Sequence, residues 1–216
     1  MVRWFRYALL LVLFALPLAA QNDSPDKLWA DLKTDNREHF VAGTVTFSGL
    51  VDLRKQTDGP KGQEPPVAIL SCADSRVPPE VIFNRSLAKV FVVRVAGNVA
   101  DDYSLASLEY AVSKGWTKLI VVMGHSWCGA VESALNPAND GLTPPLIALV
   151  NRIRESFGPN WAAPPSLPDA TKLNAKASAA WLPAHSAVIR DAVKSGRVKI
   201  VVAYYDLGSG KVEEVP

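Results

Sequence analysis

The stretch Leu119-Ile-Val-Val-Met-Gly-His-Ser-Trp-Cys-Gly-Ala-Val131 decides the fold, because an unbroken apolar run leads directly into glycines and polar residues. Short apolar runs bounded by turn-forming residues are typical of strands buried on both faces of a parallel sheet. The same pattern occurs at three other places: Val67 to Ser71, Val90 to Val95 and Val198 to Tyr204. We therefore expect Leu119 to Met123 and these three runs to form buried, parallel strands.

Helical segments are predicted between and around the strands. Ser24 and Pro25 offer an N-cap and a first-turn proline for an N-terminal helix that reaches Gly43. Further helices are expected over Tyr103 to Lys114, Gly129 to Leu135, Leu146 to Phe157 and Ala170 to Lys194, the last interrupted at Pro183. This alternation predicts an α/β fold with a central, mostly parallel β-sheet flanked by helices. We interpret the proline-rich stretch Gly158 to Asp169 as a loop within the same domain.

The composition fits one globular domain with a substantial core. Of the 216 residues, 49% are hydrophobic and only 20% are charged. The 23 basic and 21 acidic residues nearly balance, and no basic patch or acidic tract stands out. The sequence therefore gives no indication of a nucleic-acid partner or of a cationic partner.

The first 20 residues have the layout of a secretory signal peptide. Arg3 and Arg6 precede an apolar run from Ala8 to Ala20, which is followed by polar residues. The run is shorter than the ~20 residues that a membrane-spanning helix needs, so a retained anchor is the less favoured alternative. We expect residues 1–20 to be removed and residues 21–216 to form a single exported domain with an N-terminal helical arm, periplasmic or secreted, with no stable membrane insertion.

A metal site is predicted from two short clusters that follow predicted strands. Cys72 lies in one cluster, and His125 and Cys128 lie in the other, so the clusters hold both cysteines of the chain. Thiolate and imidazole ligands suit Zn²⁺, and three of them leave a fourth position open, as in catalytic zinc sites. The alternatives are a disulfide between the cysteines, or two buried apolar cysteines beside a locally hydrogen-bonded histidine.

The surroundings of these clusters resemble the β-class carbonic anhydrases, and in particular an exported bacterial type. The resemblance is carried by Ala68 to Glu80, Phe91 to Asn98, Ser107 to Val112 and Leu119 to Val131, with a weaker match from Val198 to Leu207. It implies a β-carbonic anhydrase-like catalytic domain that holds Zn²⁺ through Cys72, His125 and Cys128. The implied activity is reversible hydration of carbon dioxide to bicarbonate and a proton, by attack of a zinc-bound hydroxide. Because two thiolates offset the charge of the ion, we expect activity to rise toward alkaline pH.

Asp74 and Arg76 are expected to form a catalytic pair beside the metal. Their spacing allows a charge-assisted contact in an extended or turn segment. Held by Arg76, the carboxylate would stay ionised and accept a hydrogen bond from the nucleophile. The resemblance also implies a closed state in which Asp74, freed from Arg76, binds the zinc itself.

The resemblance assigns five further residues to substrate binding. Gln63 and the backbone amide of Gly129 would donate hydrogen bonds to substrate oxygen, and a helix start at Gly129 suits a developing negative charge. Phe91 and Ala96 match an apolar pocket wall, which suits carbon dioxide. Tyr110 matches a tyrosine donated by a neighbouring subunit, so the resemblance implies a homo-oligomer, at least a dimer.

Two alternative functions remain open at this stage. Some relatives hydrolyse a related heterocumulene such as carbon disulfide or carbonyl sulfide, and the other, less favoured alternative is a non-catalytic zinc-binding module. Ile69 stands where bicarbonate-regulated members carry tryptophan, which argues against that regulation, although Arg94 matches another part of the regulatory site.

Overall fold

The computed structural model describes residues 24–45, 62–158 and 164–216. The predicted signal peptide lies outside these described residues, as does the middle of the predicted loop from Gly158 to Asp169. No helix within the described ranges is both long and apolar enough to cross a membrane.

A five-stranded sheet forms the centre of the molecule. Its strands are β1 (Val67–Ser71), β2 (Val90–Arg94), β3 (Leu119–His125), β4 (Lys199–Tyr205) and β5 (Val212–Glu214). They lie side by side in the order β2-β1-β3-β4-β5. The first four strands are parallel, and β5 pairs antiparallel with the end of β4. The predicted mostly parallel sheet is therefore confirmed.

The central strands β1 and β3 form where the sequence is most continuously apolar. Every residue of both strands is buried. Because successive side chains alternate between faces, Val67 and Ile69 pack into one core layer, whereas Ala68 and Leu70 pack into the other. The sequence interpretation missed β5, because this three-residue strand has only one buried side chain, Val212.

Seven α-helices are described. They are α1 (Pro25–Asp35), α2 (Pro79–Ile82), α3 (Asp102–Ser113), α4 (Gly129–Leu135), α5 (Pro144–Arg154), α6 (Leu167–His185) and α7 (Ala187–Lys194). Helix α1 continues into a π-helical segment, Asn36–Val41, and 3₁₀ turns occupy Ala96–Asn98 and Glu155–Phe157. The helices predicted from the sequence are present, and α4 has the predicted bounds.

The predicted interruption at Pro183 is wrong, since α6 continues through this residue to His185. Pro183 lies near the end of the helix, where its missing N–H removes a single backbone hydrogen bond. The break comes instead at Ser186, whose backbone is extended. Its hydroxyl oxygen accepts a 3.0 Å hydrogen bond from the backbone amide of Ile189 and thereby caps α7.

Helices cover both faces of the sheet. One core layer joins α1 and α2 to the sheet, and the other joins α3, α6 and α7 to it. Helix α6 approaches β3 so closely that a Cβ added at Gly124 would lie 2.8 Å from the methyl carbon of Thr171. Only glycine fits at this point of β3, one residue before His125.

The N-terminal arm is fixed to the sheet by buried polar contacts. The Asn36 amide donates to the carbonyls of Ile82 and Gly210 and accepts a hydrogen bond from the backbone amide of Val212. The Trp29 indole donates a 2.6 Å hydrogen bond to Glu214 on β5. These contacts connect the arm to the loop before β5 and to β5 itself.

Candidate metal centre

The predicted ligands meet at the carboxyl ends of two adjacent strands. Cys72 directly follows β1, and His125 is the last residue of β3. Since Ser71 pairs with Met123 in the register of these parallel strands, Cys72 and His125 emerge at the same edge of the sheet. Cys128 is the N-cap of α4, so the short turn after β3 returns it to the same place.

The three side chains form a compact, buried group. Their ligand atoms all lie within 4.8 Å of one another. The two sulfur atoms are 3.9 Å apart, and both cysteines are free thiols. The disulfide that the sequence left open is therefore not present in the structure.

The orientation of His125 leaves one ring nitrogen for a ligand. Its Nδ1 lies 2.9 Å from the carbonyl oxygen of Ser126. A carbonyl can only accept, so Nδ1 carries the proton and Nε2 presents a lone pair. Among the described residues, the buried Nε2 atom has no hydrogen-bond partner. A buried lone pair beside two thiols is the arrangement that a metal ion completes.

The donor set and its spacing fit zinc. Two thiolates at about 2.3 Å from a tetrahedral ion are separated by about 3.8 Å, close to the separation of the two sulfurs here. A carbonyl that accepts from the far nitrogen of a histidine is a common way of orienting a zinc-binding imidazole. Cys72, His125 and Cys128 would therefore hold the ion, with one position left for another group.

Neighbouring groups favour a thiolate at Cys72. The hydrogen bond with Cys128 lowers the pKa of Cys72 to about 4, although burial acts in the opposite direction. The backbone amides of Asp74 and Gly97 also donate to the Cys72 sulfur, at 3.4 Å and 3.2 Å. The same sulfur contact raises the pKa of Cys128, and burial raises it further. One proton shared between the two sulfurs would be displaced when a metal ion binds.

Asp74 and Arg76 form the predicted ion pair beside this group. The guanidinium donates twice, from Nε to Oδ1 at 3.0 Å and from Nη2 to Oδ2 at 2.7 Å, and the Arg76 backbone amide donates to Oδ1 at 2.9 Å. These side-chain hydrogen bonds from Arg76 lower the pKa of Asp74 to about 2. The carboxylate is therefore ionised at any pH near neutrality.

Arg94 holds the backbone around the pair, a role that the sequence interpretation missed. Its Nε donates to the Cys72 carbonyl at 3.0 Å, and its Nη2 donates to the Asp74 carbonyl. Arg76 Nη2 also reaches the Trp127 carbonyl at 3.4 Å. Trp127 has a left-handed backbone (φ 56°) between two ligands and exposes 70% of its surface. No local sequence pattern predicts these contacts, because they join residues that are distant in the sequence.

Comparison with known proteins identifies the family. The family model for carbonic anhydrase matches residues 67–212. Carbonic anhydrase 2 of Mycobacterium tuberculosis is 37% identical over 196 residues, with 88% of this chain and 92% of that protein covered. A solved β-carbonic anhydrase from Coccomyxa, in complex with acetazolamide, is similar with a TM-score of 0.67 and 29% identity, covering 76% and 78% of the two chains. The chain belongs to the β-class carbonic anhydrases.

Two further relatives show the extent of the similarity to this family. The carbonic anhydrase of Mycolicibacterium smegmatis is 33% identical and covers 89% of this chain and 94% of its own length. A solved β-carbonic anhydrase from Sordaria macrospora, described as tetrameric, shares the fold with a TM-score of 0.64 at 24% identity, and the match covers 88% and 92% of the two chains.

Three of the predicted substrate-binding residues differ in how close the structure brings them to the ligands. Ala96 directly precedes Gly97, whose amide donates to Cys72, so Ala96 lies beside the metal centre. Gly129 directly follows Cys128 and is the first, exposed residue of α4. Gln63 is exposed and precedes β1, and no described hydrogen bond joins it to the ligands.

Phe91 and Tyr110 lie away from the metal centre of their own chain. Phe91 pairs with Ala68, four residues before Cys72, which corresponds to about 13 Å along the strand. The ring of Tyr110 packs against Phe91 with centroids 6.4 Å apart, and 48% of the Tyr110 surface is exposed. Both side chains are therefore at a distance from the metal ligands of the chain that carries them.

Proposed function

We propose that this protein is a zinc enzyme that interconverts carbon dioxide and bicarbonate. The observation that carries the proposal is the buried group of Cys72, His125 and Cys128, in which the orphaned Nε2 faces two sulfurs. The family to which the chain belongs supports the choice of reaction. In the forward direction, water and carbon dioxide give bicarbonate and a proton.

The ligands prepare the site for a metal ion. Cys72 and Cys128 contribute sulfur, and His125 contributes Nε2 because the Ser126 carbonyl holds the proton on Nδ1. Zn²⁺ held there supplies the Lewis acidity that makes water a nucleophile near neutral pH. Burial of the three ligands excludes competing solvent from the sulfurs.

Asp74 and Arg76 orient the nucleophile in this proposal. The ionised carboxylate accepts a hydrogen bond from the attacking water, so an oxygen lone pair is directed toward carbon. Arg76 holds the carboxylate with two side-chain hydrogen bonds and prevents it from turning toward the metal ligands. In a closed state, with the ion pair to Arg76 broken, the Asp74 carboxylate would be a further residue able to hold the ion.

Substrate oxygen is then held by donors at the rim. The amide of Gly129 is free at the start of α4, and the exposed Gln63 side chain is proposed as a second donor. Ala96 supplies part of an apolar wall. Both donors would stabilise the negative charge that develops on oxygen as bicarbonate forms.

The decisive test measures carbon dioxide hydration by stopped flow with zinc-quantified protein. The wild type is expected to turn over, and Cys128→Ser is expected to lose both zinc and activity. Equal rates in the two proteins would overturn the proposal. Carbonyl sulfide and carbon disulfide are assayed in parallel, and turnover of either without hydration of carbon dioxide would assign the heterocumulene reaction instead.

We further propose that the active form is a homo-oligomer, at least a dimer, in which Phe91 and Tyr110 serve the pocket of the neighbouring subunit. Their distance from their own metal centre and the exposure of Tyr110 support this assignment. Mixing Tyr110→Ala with Cys128→Ser chains tests it, because a hybrid dimer would contain one complete site. Activity above that of either variant alone is expected, and its absence after subunit exchange would contradict the assignment.

Export is proposed on the sequence of residues 1–20. The mature protein is expected to begin near Gln21 and to be recovered outside the cytoplasm. Amino-terminal sequencing of the protein from its native host checks both points. A mature chain that retains Met1 to Ala20 would favour an anchored form.

A further inference from the structure

Asn174 makes a buried contact with a residue that is itself hydrogen-bonded to the metal ligand Cys72. It lies in α6 and is only 2% exposed. Its Nδ2 donates a 2.6 Å hydrogen bond to the carbonyl oxygen of Gly97. Nothing in the sequence pattern singles out this residue, since it occurs in an alanine-rich helix far from the cysteine and histidine clusters.

Gly97 in turn contacts the metal ligand Cys72. Its backbone amide donates a 3.2 Å hydrogen bond to the Cys72 sulfur. Gly97 is thus held at both ends, by Asn174 at its carbonyl and by Cys72 at its amide. Any shift of this residue changes the distance or angle of the hydrogen bond to sulfur.

The backbone at Gly97 also has little freedom to choose another position. Its φ is +65°, and a Cβ added there would lie 2.8 Å from Ile153 Cδ1 and 3.3 Å from Ala130 Cβ. The residue therefore lies against α5 and α4 with no space for a side chain. Asn174 supplies the side-chain hydrogen bond to the Gly97 carbonyl.

We propose that Asn174 is a positioning residue for the Cys72 thiolate: by fixing Gly97, it keeps the Gly97 amide directed at the ligand sulfur. A hydrogen bond to a thiolate lowers the energy of the sulfur lone pairs and reduces their donation to a bound metal. Asn174 thereby tunes the electronic character of the metal centre without touching the metal or the substrate. This inference rests on the metal site of the proposed function and deepens it.

Substitution of Asn174 by leucine gives a clean test. Asn174 lines a cavity of about 360 Å³, so an alanine would allow water to enter and replace the lost donor. Leucine has the same branched skeleton with the same number of heavy atoms, and its side chain offers no hydrogen bond. Asn174→Asp is the second variant, because it preserves the shape and also lacks the N–H donor. Ser178→Ala is the matched control, one turn further along the same helix and also buried.

The readout is the sulfur-to-metal charge-transfer band of the cobalt-substituted proteins, recorded together with their melting temperatures. The inference predicts that this band moves to longer wavelength in Asn174→Leu, because a weaker hydrogen bond raises the energy of the sulfur electrons. Asn174→Asp should shift the band in the same direction, and Ser178→Ala should leave it unchanged. A melting temperature that falls while the band stays at the wild-type wavelength would show a merely structural role and overturn the inference.

Different results would contradict the proposed metal site and the proposed role of Asn174. If the wild type takes up no cobalt or zinc at the two cysteines, the charge-transfer band is absent and the proposed metal site itself is wrong. If the wild type shows the band and hydrates carbon dioxide but Asn174→Leu gives the same band, only the role of Asn174 is wrong.

Discussion

The Asp74 carboxylate shows how a single residue is prepared for its role. Arg76 supplies three hydrogen bonds to it, one from the backbone and two from the side chain. Arg94 fixes the carbonyls of Cys72 and Asp74, and so holds the loop that carries the carboxylate. These contacts chiefly fix the orientation of the carboxylate, because an aspartate is ionised at neutral pH even without them.

Removal of the Arg76 side chain tests the importance of this orientation. We expect Arg76→Gln to lower kcat/KM for carbon dioxide hydration roughly 10- to 100-fold, as is usual when a partner of an active-site group is lost. The pKa of Asp74 should rise from about 2 toward its ordinary value, which leaves the carboxylate ionised at pH 7. The loss should therefore be present at neutral and alkaline pH alike.

Arg76→Lys is the control for charge. It retains the cation but lacks the forked donors, so its rate should fall between those of the wild type and Arg76→Gln. Zinc content is measured for all three proteins. Wild-type kcat/KM in Arg76→Gln at full zinc occupancy would contradict a role for the pair.

The sequence predicted the residues whose neighbours are local. Cys72, Asp74 and Arg76 lie within one short loop, and His125 and Cys128 lie within another, so spacing and residue type were sufficient to identify them. Asn174 could not be found in this way, because its partner Gly97 is 77 positions away in the chain. A long-range contact of this kind becomes visible only once the helices are packed on the sheet.

At the scale of elements, the ligands are placed by the ends of strands. The unbroken apolar run of β1 is recovered residue for residue, because complete burial leaves no ambiguity in such a segment. Helix ends were harder to predict. The sequence placed a break at Pro183, whereas the break depends on the cap that Ser186 provides for α7. A proline marks a possible end of a helix, whereas here the capping residue Ser186 determines where the helix ends.

The close packing of the 3₁₀ turn Ala96–Asn98 against α4 and α5 is tested by Gly97→Ala. The left-handed backbone costs about 1–2 kcal/mol for an alanine, and overpacking adds about 1–3 kcal/mol. Gly115→Ala is the matched control, since Gly115 also has positive φ (+75°) but its Cβ would meet nothing within 4 Å. Denaturant unfolding should show the larger loss in Gly97→Ala, and equal losses would contradict the close approach.

Ser186→Ala tests the break between α6 and α7. Loss of the side-chain oxygen that accepts from the Ile189 amide should lower the free energy of unfolding by about 1 kcal/mol. Ser195→Ala, at the other end of α7, provides the comparison, because its hydroxyl donates to carbonyls and caps no free amide. A loss of unfolding free energy in Ser195→Ala alone would contradict the role of Ser186 as the cap that separates the two helices.

At the scale of the whole molecule, the metal centre connects parts that are distant in sequence. Its ligands come from the ends of β1 and β3 and from the start of α4, and Gly97 brings the segment after β2 to the same point. The N-terminal arm lies on the sheet and is joined to β5 through Trp29 and Glu214. The sequence predicted the α/β class, and the strand order followed only from the structure, because apolar runs do not specify their neighbours.

Metal removal should therefore destabilise the entire domain. A ligand that binds only the folded state stabilises it in proportion to the logarithm of its concentration over its Kd. Dialysis against a strong chelator is expected to lower the melting temperature of the wild type by several degrees, and added zinc should restore it. Cys128→Ser should melt at the same temperature with and without chelator. If the wild type lost all of its metal and its melting temperature did not change, the proposed link between metal binding and domain stability would be wrong.

The most direct test of the central claim is X-ray absorption at the zinc edge of the purified protein. Two sulfur scatterers at about 2.3 Å and nitrogen or oxygen scatterers at about 2.0–2.1 Å are expected for an ion held by Cys72, Cys128 and His125. A coordination shell without sulfur, or protein that binds no zinc when both thiols are reduced, would contradict the account.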